Sequence, residues 1–345
     1  MRLPSLRKTM AACSAAVLLA LAGCGSGDDT AASPKAPAAA GTFPVTLKNA
    51  FGTTVIEKKP KRVATIVWSN HDAALALGVV PVGIPKQTYG DQDGDGVLSW
   101  TQKKLTELEA PTPTLFDESD GLDFEAIADT RPDVILAAYS GMSKADYTTL
   151  SEIAPTVAYP GTPFGTGWRD TIRLDAKALG LADKGDALVT GLEKAIHGAA
   201  DAHPALKGRT AMVGYFDPKD FSKVGYYTSH DVRNQFSVDL GMKIPASLTE
   251  LSAKTKEFYA TLSAEKADVF DDVDIIVTYG DGKLLGRLQK DPLLGKIPAI
   301  ARGAVVVIPQ NSELAAALSP PTALTIPATT DEYAGLLADA ARHLK

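Results

Sequence analysis

Cysteine is scarce in this 345-residue chain, which contains only Cys13 and Cys24. Both lie near the start, and no cysteine follows Cys24. The body of the chain therefore cannot form an internal disulfide. If Cys13 is removed with a leader, Cys24 is left as a lone thiol, which is unusual in an exported protein and needs an explanation.

The N-terminus also lacks an apolar run long enough to cross a membrane. Arg2, Arg7 and Lys8 precede the short run AACSAAVLLALA, a pattern typical of a cleavable secretory signal. The run ends in Leu-Ala-Gly-Cys at 21–24, which resembles the lipobox of bacterial lipoproteins. We therefore predict a signal peptide at residues 1–23 and lipidation of Cys24. A plain signal peptide cut elsewhere is the alternative.

Large apolar side chains are almost absent from the next segment, GSGDDTAASPKAPAAAGT. Such a segment cannot pack, so residues 24–42 are predicted to be a flexible tether. The expected location is the outer face of the cytoplasmic membrane, with the lipid on Cys24 as the only membrane contact.

Positive charge is in deficit, with 35 Lys and Arg against 41 Asp and Glu and a formal net charge of −6. Loss of Arg2, Arg7 and Lys8 with the leader makes the exported body more acidic still. This balance argues against a nucleic-acid partner, and against a body held on anionic lipid by its own charge.

Catalytic motifs are missing as well. The five histidines show no HExxH spacing, and the chain has no G-x-S-x-G and no Gly-rich phosphate loop. An enzyme is therefore not expected, and no cofactor or metal is predicted. His71 and His230 lie near predicted strand ends and could supply half of a zinc or manganese site, but a helix start or a cleft rim is the favoured explanation.

What the chain does contain is one internal repeat. RVATIVW at 62–68 matches RTAMVGY at 209–215, and both read as buried strands. LDFEAIADTRPDVILAAY at 122–139 matches LSAEKADVFDDVDIIVTY at 262–279, each a short helix followed by an apolar strand. Asp123 and Ser263 are suitable helix N-caps. Chance similarity between α/β segments is the alternative.

The repeat predicts an α/β protein with two lobes, each a mainly parallel sheet flanked by helices. Residues 43–166 form the N-terminal lobe and residues 207–345 the C-terminal lobe. Residues 167–206 have helical apolar spacing and few strand formers, so we predict a single long helix between the lobes, softly broken near 180–185.

Four aromatic residues end the repeated strands, and this placement predicts a ligand cleft. In parallel α/β sheets, ligands bind beyond the carboxyl ends of the strands. The aromatic ends are Trp68, Tyr139, Tyr215 and Tyr279. Capping of the core is the alternative for each of them.

The order of these blocks resembles a known family. RVATIVWSNHDAALALGVVPVGIP, the two repeat segments, the helical middle and DPLLGKIPAIARGAVVVIP look like the periplasmic binding proteins that deliver ferric siderophores to ABC importers. The resemblance spans about 43–345. It implies two lobes bridged by a rigid helix, little domain closure, and a monomeric receptor. Relatives carry cobalamin or haem, and these ligands, like a metal ion, remain alternatives.

The resemblance also implies a surface that docks on the permease subunits. Family members dock through one surface Glu on each lobe, and the matching positions here are Glu125 and Glu265. Both are expected in the first turn of a helix, where the helix dipole favours an anion, so a purely local stabilising role is the alternative.

An acidic loop, YGDQDGDGVLSW at 89–100, suggests calcium because Asp91, Asp93 and Asp95 alternate ahead of Gly96. The twelfth position of such a loop needs a bidentate Glu, and here it is Gln102. A partial calcium site, a calcium-responsive surface module and a plain acidic turn remain open. The placement favours a loop that carries Tyr89 and Trp100 towards the ligand.

Aromatic residues outnumber cations among the candidate ligand contacts. A ferric tris-catecholate is a trianion that needs several Arg or Lys, whereas a nearly neutral ferric hydroxamate can be held by aromatic faces with one or two Arg. We therefore predict a hydroxamate or mixed-ligand ferric siderophore. The candidate contacts are Trp68, His71, Tyr89, Trp100, Tyr139, Trp168, Tyr215, Tyr226, Tyr227, Arg233, Tyr279 and Arg287.

Overall fold

The computed structural model describes residues 41–344. The predicted signal peptide and Cys24 lie outside the described residues, as does the tether apart from its last two residues. The described part opens with an antiparallel hairpin, β1 (Val45–Asn49) and β2 (Gly52–Ile56). Alternate side chains of the hairpin, among them Val45, Leu47 and Ile56, are buried against the N-terminal lobe. Among residues 41–344, no helix is both long and apolar enough to span a bilayer.

The N-terminal lobe is built on a parallel five-stranded sheet. Its strand order is β5-β4-β3-β6-β7, and every neighbouring pair is parallel. The strands are short, apolar and almost wholly buried, as expected for a sheet covered on both faces. Their bounds are β3 (Val63–Thr65), β4 (Gly83–Pro85), β5 (Thr114–Phe116), β6 (Val134–Ala137) and β7 (Thr156–Ala158). The helices are α1 (Asn70–Ala76), α2 (Ser99–Glu107), α3 (Phe124–Asp129) and α4 (Lys144–Ile153).

The segment predicted as a single inter-lobe helix folds as two. These are α5 (Trp168–Ala178) and α6 (Ala182–Ala202), followed by a 3-10 turn at Pro204–Leu206. Gly180 has a φ of +69°, a left-handed conformation that ends α5. A side chain at Gly185 would clash with Ala176, so α6 packs closely against α5. The predicted break is real, but it separates two helices instead of bending one.

The C-terminal lobe carries a mixed five-stranded sheet of order β10-β9-β8-β11-β12. β8, β11 and β12 run parallel, while β9 and β10 add an antiparallel edge. The strands are β8 (Ala211–Asp217), β9 (Asp220–Tyr227), β10 (Tyr259–Ser263), β11 (Ile275–Gly280) and β12 (Val305–Pro309). The helices are α7 (Val232–Asp239), α8 (Ala246–Ser252), α9 (Leu284–Leu288), α10 (Pro298–Ala301), α11 (Glu313–Ala317) and α12 (Thr325–Ala341), with 3-10 turns at Ala264–Phe270, Leu294–Lys296 and Arg342–Leu344.

The predicted repeat is present in both lobes. β6 lies parallel beside β3 in the N-terminal lobe, and β11 lies parallel beside β8 in the C-terminal lobe. A short helical segment precedes each second strand. Asp123 caps one by accepting the Ala126 N–H, and Ser263 caps the other by accepting the Glu265 N–H. The two-lobe α/β architecture predicted from the sequence is therefore confirmed.

Candidate ligand-binding site

A cavity of about 410 Å³ is lined by residues of both lobes. Several of these residues follow the carboxyl ends of parallel strands, where α/β sheets bind ligands. Seven of the predicted contacts lie among the lining residues, which are Trp68, Tyr89, Tyr139, Phe164, Tyr215, Tyr227, Arg233, Phe258, Tyr279, Gln310 and Ser319.

The wall from the N-terminal lobe is aromatic. Trp68 follows β3, and its ring centroid is 5.7 Å from that of Tyr89, which comes from the acidic loop. Tyr139 follows β6 and contacts Phe164 edge-on, also at 5.7 Å. Phe164 in turn meets Phe258 of the C-terminal lobe at 5.2 Å. The row formed by Tyr139, Phe164 and Phe258 thus joins the two lobes at the cavity.

The turn that carries Trp68 is conformationally strained. Val67 has a φ of +57° and Ser69 a φ of +71°, a region that β-branched and most other L-residues avoid. The Val67 N–H donates to the Glu118 carboxylate, at 3.0 Å from Oε2. Burial raises the pKa of Glu118 to about 7, and the Val67 hydrogen bond offsets this only in part. Glu118 therefore holds the backbone beside Trp68.

The wall from the C-terminal lobe combines tyrosines with one cation. Tyr215, Tyr227 and Tyr279 come from β8, β9 and β11. Burial raises the pKa of Tyr227 to about 12, so its hydroxyl is neutral at physiological pH. The wall therefore offers tyrosine ring faces and the neutral Tyr227 hydroxyl to a ligand.

Arg233 is the one charged side chain among the described residues that line the cavity. Its Nη1 donates to Asp231 Oδ2 at 2.7 Å, its Nε donates to Ser319 Oγ at 3.3 Å, and its guanidinium lies 4.3 Å from the Tyr227 ring centre. Burial lowers the pKa of Arg233, but Asp231 and the cavity tyrosines outweigh this and raise it overall. Burial raises the pKa of Asp231, and Arg233 offsets this only in part. The cavity is thus close to electrically neutral.

The side chains of three predicted contacts point away from the cavity and hydrogen-bond to other side chains. His71 is 1% exposed, and its Nε2 lies 3.2 Å from Thr101 Oγ1. Burial lowers the pKa of His71, more than the neighbouring Asp72 raises it. Trp100 donates its indole N–H to Asp72 Oδ2 at 3.1 Å. Trp168 donates its indole N–H to Oδ2 of Asp239, the last residue of α7, at 2.9 Å.

The other two displaced contacts are Tyr226 and Arg287. Tyr226 precedes Tyr227 on β9, and because side chains alternate along a strand it points to the opposite face. There it packs against Phe270 in the core of the C-terminal lobe. Arg287 lies on α9 and forms an ion pair with Asp281 at 3.1 Å. Neither residue lines the cavity.

Four lining residues were not predicted: Phe164, Phe258, Gln310 and Ser319. Phe164 follows the end of β7, so the strand-end argument could have found it. A side chain at Gly141 would clash with the Phe164 ring, which explains why glycine stands there. Gln310 directly follows β12, so the same argument could have found it, whereas Phe258 and Ser319 depend on how distant segments meet.

In the acidic loop, aspartate carboxylates accept hydrogen bonds from backbone amides of the loop itself. Carboxylate oxygens of Asp91, Asp93 and Asp95 lie within 4.8 Å of one another. Asp91 accepts hydrogen bonds from the Gly94 and Gly96 amides, each at 2.9 Å. Within residues 41–344 this is the one group of three acidic, His or Cys ligands, and His71 and His230 form no such group. The loop brings Tyr89 to the cavity, whereas Trp100 is turned away from it.

Glu125 and Glu265 are exposed in the first turns of their helical segments. Each segment precedes a strand, β6 or β11. The two carboxylates are available to a partner.

Comparison with known proteins gives consistent matches. A family model described as "Periplasmic binding protein" matches residues 63–312. The probable siderophore-binding lipoprotein YfiY of Bacillus subtilis is 30% identical over 236 residues, covering 68% of this chain and 67% of the relative. The iron(3+)-hydroxamate-binding protein FhuD of the same species is 25% identical, covering 74% of each chain. The crystal structure of PiaA from Streptococcus pneumoniae in complex with ferrichrome has a TM-score of 0.83 and 49% identity, covering 87% of this chain and 99% of that one.

Proposed function

This chain belongs to the periplasmic binding protein family, and on that premise we propose that it is a monomeric extracytoplasmic receptor for a ferric siderophore. An ABC importer is the expected partner, because PiaA is described as an iron uptake ABC transporter substrate-binding protein. The observation that carries the proposal is the aromatic cavity between the lobes, with Arg233 as its cation. Such a surface suits a bulky, weakly charged chelate.

Charge favours a ferric hydroxamate over a ferric catecholate. Among residues 41–344, the single positive charge that lines the cavity is already offset by Asp231, which leaves little to balance a trianion. A nearly neutral ferric trihydroxamate needs no such balance, and it can contact ring faces and one guanidinium. The ferrichrome-bound PiaA structure and the hydroxamate-binding FhuD support the same ligand class.

The first prediction concerns ligand selectivity. We expect ferrichrome to quench tryptophan emission at sub-micromolar concentration. A ferric tris-catecholate should bind about tenfold more weakly or worse, because Arg233, the one cation among the described lining residues, is already paired with Asp231. Fluorescence titration of the folded protein measures both. The iron-free siderophores serve as controls for optical effects. Quenching by calcium alone, with no response to any ferric chelate, would support a calcium-responsive module in place of the receptor.

Membrane attachment through Cys24 completes the proposal. The support comes from the Leu-Ala-Gly-Cys sequence at 21–24 and from the relative named as a lipoprotein. A lipid on Cys24 and a tether up to residue 42 would keep the receptor at the outer face of the cytoplasmic membrane. A single diffusing receptor held there meets the permease in two dimensions.

The second prediction concerns permease docking. Changing both Glu125→Lys and Glu265→Lys should abolish siderophore uptake while leaving ferrichrome affinity unchanged, because both side chains are exposed and neither lines the cavity. Loss of each first-turn charge should cost only about 0.3–1 kcal/mol of stability. Uptake of radiolabelled iron into cells and calorimetric binding separate the two effects.

The matched control for docking reverses two other exposed carboxylates, one per lobe. Glu152→Lys with Glu250→Lys makes the same change in net charge at positions on α4 and α8. Uptake should persist in this variant. Equal loss of uptake in both double variants would show that net charge, not these two glutamates, governs docking.

A further inference from the structure

Each lobe contains a fully buried asparagine beside the cavity. Asn70 begins α1 in the N-terminal lobe, and Asn234 lies in the first turn of α7 in the C-terminal lobe. Both side chains are 0% exposed, and neither lines the cavity. A buried amide is costly unless all of its hydrogen-bonding groups are used, so their contacts indicate what they do.

Asn70 connects the ends of the two central strands of its lobe. Its Oδ1 accepts the Tyr139 N–H at 2.9 Å, and its Nδ2 donates to the Tyr139 carbonyl at 2.8 Å. The same Nδ2 donates to the Ile66 carbonyl at 2.8 Å, two residues before Trp68. β3 and β6 end before these positions, although the Ile66 N–H still donates to the Leu136 carbonyl at 3.2 Å. Asn70 extends this backbone pairing to the segments that bear Trp68 and Tyr139.

Asn234 makes a comparable set of hydrogen bonds in the C-terminal lobe, between β8 and the end of β9. Its Oδ1 accepts the Val213 N–H of β8 at 2.8 Å. Its Nδ2 donates to the Tyr227 carbonyl at 2.8 Å and to the Thr228 carbonyl at 3.1 Å, where β9 ends. One amide again ties a central strand to the segment that carries a cavity tyrosine.

We propose that Asn70 and Asn234 are positioning residues of the ligand site, which set the affinity for the ferric chelate by holding the backbones of Tyr139 and Tyr227. The inference rests on the proposed siderophore-binding function. Rigid aromatic walls bind with less loss of conformational entropy than mobile ones, so removing either amide should weaken binding without removing any ligand contact. Asn70 ties two parallel strands and Asn234 ties two antiparallel strands, yet each holds the backbone of a cavity tyrosine, which argues against incidental core filling.

The test compares Asn70→Ser and Asn234→Ser with a matched control, Thr54→Ala. Thr54 is also buried and donates to the Thr156 carbonyl at 2.6 Å, but it belongs to the N-terminal hairpin and does not line the cavity. We expect about a tenfold rise in the ferrichrome Kd for each asparagine variant and none for Thr54→Ala, at comparable losses of melting temperature. Unchanged affinity in both asparagine variants would overturn the proposal.

A double-variant cycle tests whether Asn70 acts through Tyr139. In a Tyr139→Ala background, Asn70→Ser should raise the Kd much less than it does alone, because the ring it positions is gone. Fully multiplicative effects would contradict positioning. Near-UV circular dichroism of the unliganded variants gives a separate readout. If the parent protein binds no ferrichrome, the proposed function fails, whereas an unchanged aromatic spectrum of Asn70→Ser rejects the positioning role alone.

Discussion

Trp68→Ala is expected to bind ferrichrome at least about tenfold more weakly than the parent protein while remaining folded. Trp68 is half-buried, lines the cavity and packs on Tyr89, so its free face is available to the chelate. Truncation of an aromatic contact at the centre of a binding site typically costs about 2 kcal/mol or more. Isothermal titration calorimetry measures the affinity without relying on the lost fluorophore, and thermal melting measures the stability.

Trp100 provides the matched control for Trp68. It is 9% exposed, and its indole N–H is bound to the buried Asp72. Trp100→Ala should therefore lose stability, by about 3–5 kcal/mol as for other core aromatics, yet keep its affinity wherever it is folded. If the two variants exchanged these outcomes, the cavity would have to be moved towards Trp100.

The strand-end argument predicted which aromatic residues the topology brings together at one edge of a sheet. Parallel strands present their carboxyl ends at one edge of a sheet, so aromatics after β3 and β6 had to come close together. Trp68 and Tyr139 were identified this way, and Tyr215 and Tyr279 through the repeat. The two lobes were predicted from the internal repeat. These features need only the order of the elements, which the sequence encodes locally.

The direction in which individual side chains point could not be predicted from the sequence. Tyr226 and Tyr227 are neighbours on β9, and only the register of the strand decides that Tyr227 faces the cavity. Trp100 and Trp168 looked equally suited to a ligand, but each found a carboxylate, Asp72 or Asp239, on a distant element. Those partners are brought together by packing, so local pattern could not reveal them.

The cavity's long-range contacts show the same limit. Phe164 and Phe258 meet across the lobes at 5.2 Å, although no motif links their segments. The break within residues 167–206 is different, because it could have been predicted from the sequence. Glycine often ends a helix in the left-handed conformation, as Gly180 does here. Treating Gly180 as a helix end would have predicted two helices.

Arg233→Met is expected to have the largest combined effect, abolishing detectable ferrichrome binding and destabilising the protein. The change removes the cavity's cation and leaves Asp231 buried without its ion-pair partner. Breaking a buried pair by removing one member typically costs about 3–5 kcal/mol. Denaturant unfolding and calorimetric titration measure the two losses separately.

A second change should separate stability from binding. Asp231→Asn keeps an oxygen that can accept the residue-233 N–H, now held at 2.9 Å, but removes the unpaired charge. The double variant Asp231→Asn with Arg233→Met should therefore recover most of the lost stability and none of the affinity. Recovery of binding would mean that ligand recognition does not use the guanidinium.

The pH dependence of Arg233→Met provides an independent check on this explanation. Burial raises the pKa of Asp231, and Arg233 is the group that opposes this rise. Without Arg233 the folded-state pKa lies further above the unfolded value, so the folded state binds the extra proton and stability falls as pH rises. The deficit of the single variant should thus shrink between pH 7 and about pH 5, and the double variant should show no such trend. A deficit independent of pH would place the cost in lost packing on Tyr227 and not in the uncompensated carboxylate.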